Sequence, residues 1–314
     1  MTHGLALLPW QDYAAVLGLA VEGLDVAVYD GSADPPDDVL GRVTFYVPPY
    51  MSTSHTLELM SRMPRLRVVQ TLTAGVDSAW PLLPDGVTLC NAAGVHDAST
   101  AELAVGLVLA SLRGLDEFAR AQSTGEWRYA QHESLADRRV LVIGAGHVGT
   151  ALTRRLEPFE VEIVRVGRTR RSLDDGTVVH GTDELPELLP EADVVVLVVP
   201  LTAGTTGTTG MVDAAFLGRM KQGALLVNVA RGAVVRTGDL VDAVRRGHVS
   251  AALDVTDPEP LPPDHPLWTL PGVLISPHVG GFTTAFLPRA HRLVAHQLRR
   301  WRLGDPLENV MARP

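Results

Sequence analysis

The sequence predicts an α/β protein of two Rossmann-like, doubly wound parallel-sheet domains with a cleft between them. The first observation is the length of 314 residues, which suggests two domains, and the second is an apolar fraction of 46%, ample for two cores. The third is an alternation of short, β-branched apolar runs with helical segments along the chain. This alternation is typical of parallel sheets, because parallel neighbours need a crossover connection.

The N-terminal third of the chain shows this alternation by itself. Helical spacing predicts helices at 11–20 and 55–63, and a long, mostly apolar helix at 98–113 that is too short to span a bilayer and should be buried. A less regular segment with Trp127 and Tyr129 follows that helix. The apolar runs predict five strands, at 5–8, 26–29, 43–47, 68–71 and 87–89.

The second half of the chain repeats the pattern. Its predicted strands are 140–143, 161–166, 193–199, 225–229, 250–254 and 273–275. Its predicted helices include 184–189, 213–220 and 237–246, and a further helical segment lies between the first two strands. A last amphipathic helix, at 283–303, is expected to pack on the first domain. The first domain is therefore predicted to be discontinuous, with residues 1–97 and 284–314, and the second domain to comprise residues 98–283.

A glycine motif opens the second domain. Residues 144–149 read GAGHVG between an apolar strand and a helical segment, and this context is typical of a dinucleotide site. Gly144 suits the tight turn, Gly146 lets a pyrophosphate approach the backbone, and Gly149 lets helix and strand pack closely. The start of the helix then offers N–H groups to the phosphates. A glycine-rich turn of another doubly wound protein is the alternative interpretation.

The end of the next predicted strand indicates which dinucleotide binds. An NAD site usually has an acidic residue there, but this chain has Gly167-Arg168-Thr169-Arg170. Guanidinium groups and a hydroxyl suit a 2′-phosphate, so we expect NADPH, with NADH as the alternative. The alternative interpretation is that this segment is a solvent-exposed basic turn that binds no phosphate.

Composition restricts the classes of partner and compartment. The net charge of −9 argues against nucleic acid or an acidic membrane surface as a partner. Cys90 is the single cysteine, so we expect no intrachain disulfide and, with no convincing histidine set, no metal site. The N-terminal residues lack the basic and apolar regions of a signal peptide. A soluble cytoplasmic protein is the expectation.

Three residues that suit acid–base and anion chemistry follow predicted strands. They are Arg231, Glu259 and His278, and the C-terminal ends of parallel strands are where open sheets bind ligands. Reduction of a 2-keto acid by hydride needs a proton donor at the carbonyl oxygen, and histidine suits this at neutral pH. A carboxylate would orient the ring and favour its protonated form, while an arginine would bind the substrate carboxylate in bidentate fashion.

In these residues and in the motifs that contain them, the chain resembles the D-isomer-specific 2-hydroxyacid dehydrogenase family. Its strongest motifs are GAGHVG (144–149), VNVARGAVV (227–235), AALDVTDPEPLPPDHPL (251–267) and ISPHVGG (275–281). TLTAGVD (71–77) and NAAGVHDASTAELAVGLVLA (91–110) support them. The loop TAGTTGTTG (202–210) departs from the family pattern, and so does the absence of an acidic residue at 167–168.

The resemblance implies a role for each matching position. Arg231 would bind the substrate carboxylate and carbonyl, His278 would be the acid–base, and Glu259 its carboxylate partner. Asp254 would hold the nicotinamide carboxamide. The further contacts it implies are the backbone of Ala74, Gly75 and Val76 for the substrate carboxylate, the backbone of His147 and Val148 for the pyrophosphate, and Val229 and Gly280 for the cofactor. The discontinuous domain would then bind substrate.

The function implied is reduction of a glyoxylate- or hydroxypyruvate-like 2-keto acid to a D-2-hydroxy acid. We expect a homodimer. Tyr46 and Tyr50 are candidates for the wall of the substrate pocket. Two alternatives stay open on the same scaffold. One is a nucleotide-gated binding protein of the corepressor type, and the other is oxidation of a phosphorus oxyanion.

Overall fold

The structure is a computed structural model that describes residues 4–51, 53–204 and 207–313. The chain forms two compact units, one of Met1–His96 with Thr284–Pro314 and the other of Asp97–Thr283. The boundaries expected from the sequence lie at 97/98 and 283/284. Which ligand each unit binds stays a prediction.

The first unit contains a five-stranded parallel sheet with the order β2-β1-β3-β4-β5. Every residue of β1 and β3 is buried, as expected for parallel strands that are covered on both faces. Three short helices connect the strands. The strands are β1 (Leu5–Leu8), β2 (Asp25–Val28), β3 (Val43–Tyr46), β4 (Val68–Gln70) and β5 (Thr88–Cys90), and the helices are α1 (Tyr13–Leu17), α2 (Asp37–Leu40) and α3 (Ser54–Glu58).

The second unit contains an eight-stranded sheet with the order β13-β12-β11-β10-β6-β7-β9-β8, in which only the pair β8 and β9 is antiparallel. Its strands are β6 (Arg139–Ile143), β7 (Glu162–Val166), β8 (Arg171–Ser172), β9 (Val178–His180), β10 (Val194–Leu197), β11 (Ala224–Asn228), β12 (Val249–Leu253) and β13 (Val273–Ile275). Its helices are α4 (Asp97–Leu112), α5 (Leu115–Thr124), α6 (His147–Leu156), α7 (Leu185–Leu188), α8 (Ala214–Arg219) and α9 (Thr237–Arg245). The predicted fold class of two parallel-sheet α/β domains is confirmed.

Helix α4 is the long buried helix that the sequence predicts at 98–113. Ala101, Ala104, Leu107 and Val108 are buried and share a core with the apolar residues of β6, β10 and β11. No single helix in the described part of the chain is long and apolar enough to cross a bilayer. Helices α4 and α5 reach that length and hydropathy only as a pair bent by 65°.

The last helix, α10 (Phe286–Leu303), belongs to the first unit. Phe286, Ala290, Val294 and Leu298 recur every fourth residue, so they form one stripe along the helix. This stripe is buried in a core with Ala6, Leu8 and Phe45.

Glycine and proline shorten two of the predicted helices. The predicted helix at 11–20 is divided into α1 and a 3₁₀ turn at Gly18–Ala20, because Gly18 turns the chain with φ +54° and ψ −133°. The predicted helix at 184–189 is split into α7 and two 3₁₀ turns, since Pro186 and Pro190 cannot donate backbone hydrogen bonds. The short strands β8 and β9 and the helices α2 and α5 are not predicted from the sequence.

Candidate active site

Three neighbouring strands of the second sheet lead into the predicted catalytic residues. The last residues of β11, β12 and β13 are Asn228, Leu253 and Ile275, and they pair in parallel register. Parallel neighbours end at the same edge of a sheet, about 4.8 Å apart. The loops that carry Arg231, Glu259 and His278 therefore all leave from one edge of the second unit.

The structure brings His278 and Glu259 into direct contact. Nδ1 of the His278 ring lies 2.5 Å from Oε1 of Glu259. A carboxylate only accepts hydrogen bonds, so Nδ1–H is the donor. This contact orients the ring and makes Nε2 the nitrogen that can exchange a proton with a ligand. The two side chains are 31% and 39% exposed, which is compatible with access by a small molecule.

Asp254 holds the turn that carries His278. Its buried carboxylate accepts hydrogen bonds from Oγ of Ser276 at 2.7 Å and from the N–H groups of Val279 and Gly280, each at 2.9 Å. Its main-chain carbonyl accepts the N–H of His278 at 2.7 Å. Within this frame His278 adopts φ +54°, in the left-handed region that few non-glycine residues occupy. These hydrogen bonds fix the backbone on both sides of the imidazole.

Gly280 has no room for a side chain. A Cβ there would lie 2.9 Å from Oδ2 of Asp254, the oxygen that accepts the Gly280 N–H. Val229, the other predicted cofactor contact beyond this sheet edge, is 8% exposed. Both roles in cofactor binding stay predictions.

The loop of Arg231 is fixed by Asn228. The buried Asn228 side chain donates through Nδ2 to the Arg231 carbonyl and accepts the N–H of Ala230 through Oδ1, both at 3.0 Å. Gly232 allows the next loop to approach, since a Cβ at Gly232 would lie 1.9 Å from the Thr256 carbonyl oxygen. The half-buried Arg231 guanidinium donates through NH1 to the Ala230 carbonyl at 2.8 Å.

Sequence reasoning missed Ser276 and Asn228. An asparagine at the end of an apolar strand was a usable signal, because a buried amide needs hydrogen-bond partners. Ser276 gave no comparable signal, since only the folded chain brings it to Asp254.

The glycine turn connects β6 to α6 and fits a pyrophosphate. Gly144 has φ +123°, and a Cβ there would lie 2.4 Å from the Val198 carbonyl oxygen. A Cβ at Gly149 would lie 1.9 Å from the Gly144 carbonyl oxygen, so helix and turn are in close contact. An added Cβ at Gly146 would meet nothing within 4 Å, so the space beside that backbone is open. The N–H groups of His147 and Val148 belong to the first turn of α6, which has no intrahelical acceptors for them.

The loop after β7 carries Arg168 and Arg170, which differ in their partners. The N–H of Gly167 donates to the His180 carbonyl at 2.8 Å, so this loop lies beside the end of β9. Arg168, Thr169 and Arg170 are exposed. Arg170 contacts Glu184, whereas the described residues provide no ion-pair or hydrogen-bond partner for the Arg168 guanidinium. These residues fit a phosphate monoester, which needs accessible cationic donors.

The predicted substrate contacts 74–76 follow β4 in the first unit. The Ala74 carbonyl accepts Nδ2 of Asn91 and the Gly75 carbonyl accepts Oγ1 of Thr73, both at 2.8 Å. Val76 is buried. Side chains of the same unit therefore fix this turn, and its contact with substrate stays a prediction.

The expectation that Tyr46 lines a pocket is wrong. Tyr46 is fully buried in the core of the first unit, where its hydroxyl donates to the Thr56 carbonyl at 2.9 Å. Burial raises the pKa of this phenol well above its usual range. Tyr50 is half-buried and packs on Phe286, with ring centroids 4.1 Å apart.

The loop 202–210 is described except for residues 205 and 206. Thr202 and Thr208 hydrogen-bond to each other, since the backbone N–H of each donates to the hydroxyl of the other.

The described ranges contain no group of three or more His, Cys, Asp or Glu side chains that could hold a metal ion.

A dinucleotide-type glycine turn and a histidine–carboxylate pair on one sheet define a nicotinamide-nucleotide-dependent oxidoreductase. Residues 105–280 match the family model described as D-isomer specific 2-hydroxyacid dehydrogenase, NAD binding domain. The chain belongs to this family and is a D-2-hydroxyacid dehydrogenase, as its motifs predict.

Relatives and solved structures agree with this assignment. The chain is 36% identical to the glyoxylate reductase/hydroxypyruvate reductase of Mus musculus over 255 residues, which cover 78% of this chain and 77% of the mouse protein. It is 34% identical over 254 residues to a glyoxylate reductase of Thermofilum pendens, covering 77% of this chain and 73% of that protein. A D-isomer specific 2-hydroxyacid dehydrogenase of Xanthobacter autotrophicus Py2, solved with NADPH and MES, superposes with a TM-score of 0.82 at 30% identity, covering 99% and 98% of the two chains. An NADPH-dependent glyoxylate/hydroxypyruvate reductase of Sinorhizobium meliloti, solved with NADP and sulfate, also has a TM-score of 0.82, at 26% identity and 98% coverage of both chains.

Proposed function

We propose that this protein reduces a small 2-keto acid of the glyoxylate or hydroxypyruvate type to the D-2-hydroxy acid, with NADPH as the preferred donor and NADH as the alternative. The contact of 2.5 Å between His278 Nδ1 and Glu259 carries the proposal, because it supplies an oriented proton donor. The names of the mouse and Sinorhizobium meliloti relatives support the substrate class.

Preference for NADPH is supported by the loop after β7. An acidic residue that would bind a ribose 2′-hydroxyl is missing from 167–171, and Arg168 and Arg170 are exposed there. The open space beside Gly146 and the first turn of α6 would hold the pyrophosphate. When bound, the reduced nicotinamide supplies the hydride that the carbonyl carbon of the substrate accepts.

The chain's own residues supply the rest of the chemistry. Hydride addition breaks the carbonyl π bond and leaves the electron pair on oxygen, so a proton must reach that oxygen. His278 delivers this proton from Nε2, while Glu259 at Nδ1 keeps the ring oriented and stabilises its cationic form. Arg231 binds the substrate carboxylate and polarises the carbonyl. The backbone of residues 74–76 is a further predicted substrate contact.

The experiment that tests the proposal is NADPH oxidation with a panel of 2-keto acids that includes glyoxylate, hydroxypyruvate and pyruvate. NADH serves as the cofactor control, and chiral analysis of the product tests for the D-isomer. We expect turnover to be faster with glyoxylate and hydroxypyruvate than with pyruvate. A nucleotide-gated binding protein would bind NADPH without consuming it, and that result across the panel would overturn the proposal.

We also infer a homodimer, because the segment after α5 presents two aromatic rings to solvent. Trp127 is 94% exposed and Tyr129 is 95% exposed, and side chains of this size are normally covered. Sedimentation equilibrium of the wild type and of a Trp127→Ser, Tyr129→Ser variant tests this. We expect dimers that weaken in the variant, whereas a monomeric wild type would contradict the inference. A cytoplasmic location, and the lack of nucleic-acid and membrane partners, stay predictions.

A further inference from the structure

Three side chains make mutual contacts beside the loop proposed to bind the ribose phosphate. NH1 of Arg170 lies 2.5 Å from Oε2 of Glu184 and 3.2 Å from Nδ1 of His180. Nδ1 of His180 lies 2.7 Å from the same Glu184 oxygen. Arg170, one of the arginines available to a phosphate, therefore already has an anionic partner in the chain.

Glu184 is held in place from its other side. Its Oε1 accepts the N–H of Gly181 at 2.8 Å, and Gly181 directly follows β9. The backbone hydrogen bond from Gly181, then the hydrogen bond from His180 and the charge of Arg170, lower the pKa of Glu184. The carboxylate is thus ionised at neutral pH, and its second oxygen is directed at Arg170.

Arg168 differs from Arg170 although the two are close in sequence. Its carbonyl accepts Oγ1 of Thr182 at 3.4 Å, so the backbone of its loop lies against the turn after β9. Its guanidinium, by contrast, contacts no acceptor among the residues that the structure describes. A phosphate can therefore bind Arg168 without competition, whereas at Arg170 it competes with Glu184.

We propose that Glu184, oriented by Gly181 and His180, limits the affinity of this site for a phosphate monoester at the cofactor's ribose by pairing with Arg170. Arg168, together with Arg171 beside Gly167, then provides the cations for the phosphate. The inference rests on the proposed use of NADPH. Two effects act in the same direction: the ion pair must be shared when a phosphate binds, and the carboxylate repels the anion. Glu184 is thus a specificity-determining residue that acts through Arg170.

The test is calorimetric binding of 2′,5′-ADP and of 5′-ADP, which lacks the 2′-phosphate, to the full chain. Glu184→Gln keeps an oxygen for the Gly181 N–H and replaces the charged oxygen that faces Arg170 and His180 by an amide NH2 group. We expect about fivefold tighter binding of 2′,5′-ADP and no change for 5′-ADP, since one exposed ion pair contributes roughly that factor. If Glu184 had a purely structural role, the substitution would weaken the binding of both ligands, and that result would overturn the proposal.

A matched control and a double-mutant cycle sharpen the test. Asp183→Asn removes the same charge from the neighbouring residue, and we expect a clearly smaller effect on 2′,5′-ADP. In the wild type, Arg170→Gln should weaken the binding of 2′,5′-ADP less than Arg168→Gln does. In the Glu184→Gln background, the two substitutions should weaken this binding by about the same factor. Equal costs of Arg170→Gln in both backgrounds would contradict the coupling.

The outcomes separate this inference from the function on which it rests. A wild type that binds 5′-ADP as tightly as 2′,5′-ADP lacks the proposed preference for NADPH, and the inference then fails with it. A wild type that prefers 2′,5′-ADP, with a Glu184→Gln variant that binds it equally well, keeps the preference and removes the role of Glu184.

Discussion

Ser276 and Asp254 are joined by a hydrogen bond of 2.7 Å between a hydroxyl and a buried carboxylate, two residues before the proposed acid–base His278. The same carboxylate accepts the N–H groups of the two residues that follow His278. The position of the imidazole is therefore set by an aspartate that directly follows the neighbouring strand β12, and Ser276 is one of the hydrogen-bond donors to this aspartate.

Ser276→Ala is expected to act on both stability and catalysis. Loss of one donor to a buried carboxylate should lower the free energy of unfolding by about 1–2 kcal/mol. It should also lower kcat by about tenfold, because the turn that carries His278 is less well fixed. Ser276→Thr keeps the hydroxyl and should restore most of kcat. Denaturant titration and steady-state kinetics measure the two effects, and a stability loss with unchanged kcat would refute the positioning role.

His278→Asn removes the proposed proton donor with little change in side-chain volume. We expect kcat for 2-keto acid reduction to fall by about 10²- to 10⁴-fold, which is the usual contribution of general acid catalysis. The affinity for NADPH, measured by fluorescence titration, should change by less than about twofold. Full activity of this variant would exclude His278 as the acid–base.

Glu259→Gln keeps an acceptor for the Nδ1–H of His278 but removes the negative charge at 2.5 Å. The ring then loses the charge-assisted contact that fixes its orientation, so Nε2 is less well placed to donate a proton. We expect kcat to fall by about tenfold, with little change in the affinity for NADPH. An unchanged kcat would show that the contact does not position the proton donor.

Replacement of Gly167 by Asp, with Arg168→Gln, should shift the cofactor preference toward NADH. The measurement is the ratio of kcat/KM for NADPH and NADH. The structure adds a condition, because a Cβ at Gly167 would lie 2.8 Å from NH1 of Arg171 and 3.0 Å from Cγ1 of Val179. The new carboxylate can therefore pair with Arg171 instead of the ribose. Adding Arg171→Gln should make the shift larger, and a ratio that stays constant in all of these variants would contradict the assignment of this loop.

Asp193 is expected to contribute pH-dependent stability to the second unit. Partial burial opposes its ionisation, but hydrogen bonds from Lys221 Nζ and the Arg139 N–H outweigh burial and lower its pKa. Because the folded-state pKa lies below the unfolded value of about 3.9, the stabilisation is complete above that value and is lost as pH falls through the folded pKa. Asp193→Asn should therefore lower the free energy of unfolding by about 1–2 kcal/mol at pH 7.

The free energy of unfolding of Asp193→Asn should approach that of the wild type as the pH falls below about 4. Asp242→Asn is the matched control, since it removes one carboxylate from α9 at a position whose side chain is 65% exposed. Its effect should be small at every pH. Equal destabilisation by both substitutions would mean that net charge, and not the local contacts of Asp193, determines the result.

Most of the fold could be predicted because its signals are local. The apolar runs that form β6, β10 and β11 are bounded by turn residues, so their existence and type follow from the sequence. The two-residue strand β8 is exposed and has no such signal. The early end of α1 at Gly18 depends on a backbone conformation that the sequence permits but does not require.

By itself, the sequence determined the residue types of the candidate site and the strand ends to which they belong. Tertiary structure alone decided their partners: Ser276 with Asp254, Asn228 with the Arg231 loop, Tyr46 in the core, and Glu184 with Arg170. The physical reason is range. Strand formation and turn chemistry depend on neighbouring residues, whereas a hydrogen bond or ion pair between distant residues exists only after the sheet has brought two strand ends together.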